Sequence, residues 1–206
     1  MLKLRMPTVE TERLILRPIQ LYDDSDMYEY CSNEEVVKYL WFEKHDSVEF
    51  SHYIIEKLFL NRISVGLPEA YAIVLKKSHK MIGMIDVNQV YFNDVGVIGY
   101  VLNQDYWGNG YVPEALETLI LVLFYYCGFY RLEINHCIDN LRSQRVIEKA
   151  GFIQEGRFRK RKKERDGHRA DYIYYGLCKD DDIVKERYGE ELYEERIGKQ
   201  IQSKTS

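Results

Sequence analysis

Most of the features that would mark a metalloprotein, a disulfide scaffold or a membrane protein are missing from this sequence. The four cysteines, Cys31, Cys127, Cys137 and Cys178, are scattered, with no Cys-x-x-Cys pair. That spacing speaks against a disulfide framework or a zinc site, and suits reduced thiols in a cytoplasm. The five histidines are isolated, without a His-x-x-x-His pair, so no metal is expected. The longest apolar run, Leu119 to Phe129, is too short to span a bilayer and reads as a buried helix. Met1 to Pro7 lack the apolar core of a signal peptide. No Pro/Gly/Ser-rich linker, internal repeat or low-complexity tract divides the chain. A net charge of −4 gives no global pull toward nucleic acid or membrane.

What is present is an ordinary globular composition, 46% hydrophobic and 30% charged over 206 residues, enough for one domain with a real core. The pattern predicts a strand over Arg13 to Ile19, then helices over Tyr22 to Cys31 and Val48 to Phe59. Tyr71 to Lys76 and Lys80 to Val90 read as a hairpin around Lys77-Ser78-His79, followed by a strand from Val95 to Asn103. A helix from Pro113 to Tyr126 closes at Gly128, and Arg131 to Ile138 alternates as a strand. Asn140 caps a helix ending at Gly151. Phe152 to Lys163 and His168 to Leu177 form a hairpin whose Asp166-Gly167 reads as a two-residue turn. This order predicts an α/β (α+β) sandwich with a mixed, mostly antiparallel sheet flanked by helices. The expected domain spans 1–206, with a core of about 7–178 and an acidic helical tail over 179–206 that packs on the domain or on a partner chain. A homodimer is left open.

The segment carrying the most chemistry is Tyr106-Trp107-Gly108-Asn109-Gly110-Tyr111-Val112-Pro113-Glu114-Ala115. Its glycines allow positive φ and close approach of a ligand to the backbone. Pro113 suits the first turn of a helix, and free amides at a helix start form an anion site, most often for phosphate. A Rossmann loop fits poorly, because Pro113 stands where its third glycine would be. A Walker loop is excluded, since no Gly-Lys-Ser or Gly-Lys-Thr follows.

Around this loop stand Thr11-Glu12-Arg13-Leu14-Ile15-Leu16-Arg17-Pro18, Ile98-Gly99-Tyr100-Val101-Leu102, Asn140-Leu141-Arg142-Ser143, Glu148-Lys149-Ala150-Gly151-Phe152 and Glu155-Gly156. In this order and spacing they resemble the GNAT acyltransferase superfamily, in particular its Rim-type, ribosomal-protein N-acetyltransferase branch, from about Pro7 to Leu177. The resemblance implies an acetyl-CoA-dependent N-acetyltransferase in which a primary amine attacks the thioester directly. It implies that the backbone of Tyr100, Val101 and Leu102 pairs with the pantetheine arm. The amides of Trp107, Gly108, Asn109, Gly110, Tyr111 and Val112 would receive the pyrophosphate, and Asn140 would orient the cofactor. Asp105 departs from the pattern, which usually has Arg or Gln there.

Among catalytic candidates, the resemblance nominates Ser143 to protonate or hydrogen-bond the leaving thiolate; a plain surface serine is the competing reading. Ile147 fills the position where some relatives carry a tyrosine acid. The family's acid before the Gly-Tyr segment is replaced by Val97 and Ile98. Asp86 and Glu133 remain as nominees for the base, each also readable as a structural carboxylate. The basic run Arg157 to Arg165 reads as a solvated hairpin, or as a contact for an acidic peptide, RNA or the 3′-phosphate of CoA. Strand alternation would divide it, with Arg157, Arg159 and Arg161 on one face and Lys160 and Lys162 on the other. Tyr39, Trp41 and Phe42 are candidates for an acceptor pocket. The expected acceptor is a protein N-terminus, with a small amine (polyamine, amino acid, antibiotic) as the alternative. A non-catalytic CoA-binding or RNA-associated protein is a further alternative, although nucleic acid is not favoured.

Overall fold

A computed structural model describes residues 1–205 as one eight-stranded sheet in the order β1-β2-β3-β4-β5-β6-β8-β7. The strands are β1 (Val9–Glu10), β2 (Leu14–Pro18), β3 (Tyr71–Leu75), β4 (Met81–Tyr91), β5 (Val95–Leu102), β6 (Arg131–Cys137), β7 (Ile153–Lys163) and β8 (Arg169–Cys178). All neighbours are antiparallel except β5 and β6, which run parallel. A parallel neighbour needs a crossover, and here it is α4 (Tyr111–Leu121), prolonged by a wider π turn over Val122–Cys127. Gly128, at φ 90°, ends it in the left-handed conformation that the sequence predicted.

Each face of the sheet buries its own core. On one, α4 and α5 (Leu141–Lys149) cover Leu14, Leu16, Ile73, Ile85, Ile98 and Ile134. The C-terminal segment, with α6 (Asp182–Arg187), α7 (Glu190–Tyr193) and α8 (Lys199–Thr205), joins this side through Val184, Tyr188, Tyr193, Ile197 and the partly buried Ile201. The tail therefore completes the core of its own chain. On the other face, α1 (Asp24–Cys31), α2 (Glu34–Val37) and α3 (Val48–Ile54, continuing as a π turn to Phe59) cover Ala72, Val74, Met81, Met84 and Val101.

The detail that makes a site is the failure of β5 and β6 to stay together. Their pairing is confined to Val95↔Arg131, Gly96↔Leu132 and Val97↔Glu133, although β5 runs on to Leu102 and β6 to Cys137. A bulge at Asn88 in β4, between the Val87↔Ile98 and Gln89↔Val97 pairs, adds local twist just where the strands part. The result is a wedge in the middle of the sheet, open on the edge of β5 that carries Tyr100, Val101 and Leu102.

Two local expectations need correction. The β7–β8 connection spans residues 164–168, between the Lys163↔Arg169 pair, and is not a two-residue turn. Glu164 donates its amide to the His168 carbonyl (2.8 Å), and Gly167 takes φ 89°. The expected alternation along β7 is also broken. Between Phe158↔Tyr172 and Lys162↔Ala170 three residues of β7 face one of β8, and Lys160 sits at φ 52°. The carboxylate of Asp171 stabilises this bulge by accepting the Lys160 amide (2.8 Å) and the Arg157 guanidinium (2.7 Å).

Candidate active site

The glycine loop enters α4 through two left-handed residues, Gly108 (φ 80°) and Gly110 (φ 79°), where an L side chain would be strained. Nothing lies within 4 Å of a Cβ placed on Gly108, so that side of the loop faces open space. Gly110 is the cap residue. Helix geometry leaves the N–H groups of Gly110, Tyr111 and Val112 without an intrahelical acceptor, and Pro113 has none to give. The first intrahelical bond runs from the Glu114 amide to the Gly110 carbonyl (3.2 Å). The Trp107 amide is different from the others in the loop, since it donates to the Gln104 carbonyl (3.1 Å). Trp107 contributes through its ring instead. The indole N–H donates to the Leu102 carbonyl (2.9 Å), and the Arg142 guanidinium lies 4.2 Å over the ring.

A brace that the sequence did not reveal holds this loop. Arg13 donates Nη1 to the Asn109 carbonyl (2.8 Å) and Nε to Glu114 Oε2 (2.7 Å), with its guanidinium 4.6 Å over the Tyr111 ring. Thr11 and the Arg13 amide also donate to the Glu114 carboxylate. Burial opposes ionisation of Glu114, but these bonds outweigh it and hold its pKa below the ordinary value. An acid in the first turn of a helix would repel any anion placed at that helix start; Arg13 offsets that charge. Arg13 and Arg142 both lay within quoted sequence motifs, but only the fold shows what they touch. Asp105 is exposed in the turn before the loop, with its amide bonded to Asn103 Oδ1 (3.1 Å).

In the wedge, Tyr100, Val101 and Leu102 pair with Ile85, Met84 and Gly83 of β4, which leaves their other edge toward β6. Gly83 is required there, since a Cβ would lie 2.3 Å from the Val101 carbonyl oxygen. Asn140 caps α5 by accepting the Ser143 amide (3.2 Å). The Ser143 hydroxyl lies 2.7 Å from the Tyr100 hydroxyl. Burial pushes the Tyr100 phenol well above its ordinary pKa, so it stays protonated and can donate. Ile147 is fully buried in the core, one turn beyond Ser143.

A cavity of about 920 Å³ adjoins the wedge, and Tyr100, Asn140, Ser143 and Asp86 line it together. Tyr39, Trp41 and Phe42 line it too, as do Lys162 and Tyr172 of the hairpin. Asp86 is buried, its Oδ2 bound by Arg62 Nη1 at 2.8 Å. Arg62 in turn donates to the carbonyls of Pro68 (2.7 Å) and Val87. Burial raises the Asp86 pKa, and the charge and hydrogen bond of Arg62 pull the other way. Asp86 stands directly across from Gly99, and its Oδ1 is 3.3 Å from where a Cβ on Gly99 would be. Asn88 Nδ2 is closer still, at 2.6 Å from that point, so the bare glycine makes room for the Asn88 amide beside the carboxylate. The structure does not bring Glu133 to this place. Its carboxylate takes Arg131 Nε at 2.9 Å, in a network that Arg131 shares with Glu155. Glu133 also lies in the closed part of the β5–β6 pair.

Elsewhere, Cys178, Asp180 and Asp181 cluster at the end of β8. Their groups serve the fold: Asp181 accepts the Cys178 amide (2.7 Å), and Asp180 accepts the Tyr130 hydroxyl (2.7 Å). No helix among the described residues is long and apolar enough to cross a membrane.

The split parallel pair, inside an otherwise antiparallel sheet, lies beside the glycine loop that opens α4. The family model described as an acetyltransferase (GNAT) domain matches residues 13–153, and the chain belongs to that family. It is accordingly a GNAT acetyltransferase that uses acetyl-CoA. An uncharacterized N-acetyltransferase, p20 of Bacillus licheniformis, is 30% identical over 176 residues, which is 84% of this chain and 97% of that protein. The fold matches a GNAT-family acetyltransferase from Bacillus anthracis with a TM-score of 0.76 at 23% identity, covering 85% of this chain and 100% of that one. It also matches RimL, a ribosomal L7/L12 alpha-N-protein acetyltransferase solved in complex with coenzyme A. There the TM-score is 0.75 at 20% identity, covering 84% of this chain and 98% of the other.

Proposed function

We propose that the protein acetylates the N-terminal amine of a polypeptide. The observation that carries this reading is the reach of the cavity lining. Its lining runs from Tyr100 and Ser143 in the wedge out to the exposed Trp41 and to Lys162 on the β7–β8 hairpin. A substrate held by its amine in the wedge can therefore extend outward, as a polypeptide must. The RimL likeness points the same way, since that protein is a ribosomal L7/L12 alpha-N-protein acetyltransferase.

The residues present fit acetyl-CoA, which supplies an acetyl group activated as a thioester. The amides of Gly108, Asn109, Gly110, Tyr111 and Val112 would hold the pyrophosphate, aided by the α4 dipole. The free edge of β5 at Tyr100, Val101 and Leu102 would hold the pantetheine arm, with Asn140 near its thiol end. Trp107 takes part by holding the Leu102 carbonyl and stacking beneath Arg142, which puts a cation beside the loop.

Successive residues of β5 leave the sheet on opposite faces, and this separates the two tasks. On the acceptor face, beside Gly99, the Asp86 carboxylate takes a proton from the acceptor ammonium. On the α5 face the Ser143 hydroxyl, held by the protonated Tyr100 hydroxyl at 2.7 Å, would donate a hydrogen bond to the departing thiolate. Positioning of the amine against the thioester supplies much of the remaining rate. Glu133 has no part in this scheme.

The test is release of CoA thiol from acetyl-CoA against two acceptor panels, N-terminal peptides and small amines. Turnover restricted to peptides is the expected result. Turnover with small amines alone would overturn the polypeptide reading in favour of a metabolic or resistance substrate.

A further inference from the structure

The β7–β8 hairpin has a charge unlike the rest of the molecule. Residues 157–171 hold eight Lys and Arg against three Asp and Glu, a net +5 in a chain of net −4. Strand β7 is the terminal strand of the sheet, so one edge of its backbone faces outward, and its side chains are mostly exposed. At the tip the hairpin reaches the acceptor cavity. Lys162 and Tyr172 line that cavity, and the Arg165 guanidinium donates to the carbonyl of Phe42, another lining residue.

We infer that this edge is the docking track for an acidic acceptor chain, whose N-terminus enters the wedge while the carboxylates that follow it run along β7. The inference rests on the N-terminal acetyltransferase reading and names the substrate class for that site. Three observations select an extended acidic polypeptide. A free sheet edge offers alternating N–H and C=O groups that only another extended backbone matches. The bulge at Lys160 prevents β7 from presenting all its cations on one flat face, which suits side chains reached one by one along a strand better than a continuous phosphate backbone. The three acids of the hairpin itself have internal partners: Asp171 has Arg157, Glu164 the Tyr172 hydroxyl and Asp166 His168. Pairing with a second copy of β7 would oppose like charges across the new interface.

The experiment uses the full chain with two peptides sharing an N-terminus, Ser-Glu-Ala-Asp-Glu-Ala and its amide counterpart Ser-Gln-Ala-Asn-Gln-Ala. CoA release and fluorescence anisotropy of labelled peptide are both measured. The expected result is a KM at least tenfold lower for the acidic peptide, a preference that shrinks as sodium chloride is raised. The double variant R159E/K163E should abolish the preference while the Kd for acetyl-CoA holds. R159Q/K163Q repeats the test with less change of charge, should the reversal disturb folding. Equal KM values for both peptides, or a preference that survives both variants, would overturn the docking track. So would tighter, salt-sensitive binding of a labelled single-stranded RNA than of the acidic peptide. Anisotropy keeps this distinct from failure of the parent reading. Acidic-peptide binding without turnover of any acceptor would count against acetyl transfer and leave the track intact.

Discussion

The two halves of the site are built from different materials. The cofactor half is mostly backbone: amides at the start of α4, the open edge of β5, and two glycines at φ near 80°. The acceptor half is almost wholly side chains, contributed by separated stretches of chain around Trp41, Asp86, Ser143 and Lys162. A backbone site needs only a strand, a turn and a helix in sequence, because the helix start creates the donors whatever the side chains are. A side-chain site needs particular groups brought together by the whole fold. In the proposed function, the first would hold the part common to every acyl-CoA, and the second would select the amine.

That contrast is most sharply broken by placing a side chain in the backbone half. Gly110→Glu puts a carboxylate at φ 79° where a phosphate should sit. Acetyl-CoA affinity should fall at least about a hundredfold, or about 2.7 kcal/mol. Calorimetry on a variant with wild-type circular dichroism checks this, and retained affinity would sink the loop assignment.

In the acceptor half, Asp86→Asn should lower kcat/KM by about a hundredfold or more while the Kd for acetyl-CoA is unchanged. The pH profile carries the sign. Burial raises the Asp86 pKa, so the basic form accumulates only above the ordinary carboxylate range, and kcat/KM of the wild type should rise with pH through that raised value. The variant should lose this limb; a limb that persists would assign it to another group. Folding needs a separate check, because the change leaves Arg62 buried without its counter-charge, at a cost of about 3 kcal/mol.

At the boundary between the halves, Ser143→Ala and Tyr100→Phe should each lower kcat by about tenfold. If the 2.7 Å contact works as one unit, the double variant should be little worse than either single change. Fully multiplicative losses would separate the two residues.

The smallest effect belongs to the brace. Arg13 is 41% exposed, so its pair with Glu114 is worth about 1 kcal/mol, and Arg13→Gln should weaken acetyl-CoA by about fivefold. Because Glu114 is held below the ordinary carboxylate value, the brace should persist as pH falls through that ordinary range and fail only below it. Acetyl-CoA affinity measured across that range checks the order of events, and an earlier loss would remove Glu114 from the brace.

Although it did not show the short β1 and α2, the sequence by itself determined most of the elements and their order, because hydrophobic period, helix caps and glycine positions are local properties. Leu14 to Leu16, the Gly108–Gly110 loop and the Asn140 cap could be read for that reason. It also nominated Ser143 and Asp86, though only as residue types at suggestive positions. Tertiary structure alone decided the rest. The parting of β5 from β6 falls beside a bulge in a third strand, and the Asp86–Arg62 pair joins β4 to a turn more than twenty residues away. Arg13 reaches Asn109 only after β2 is laid beside α4, and Glu133 is withdrawn from the site by Arg131 and by the closed end of the wedge. Contacts of this kind depend on distance in space, and separation along the chain carries no record of them.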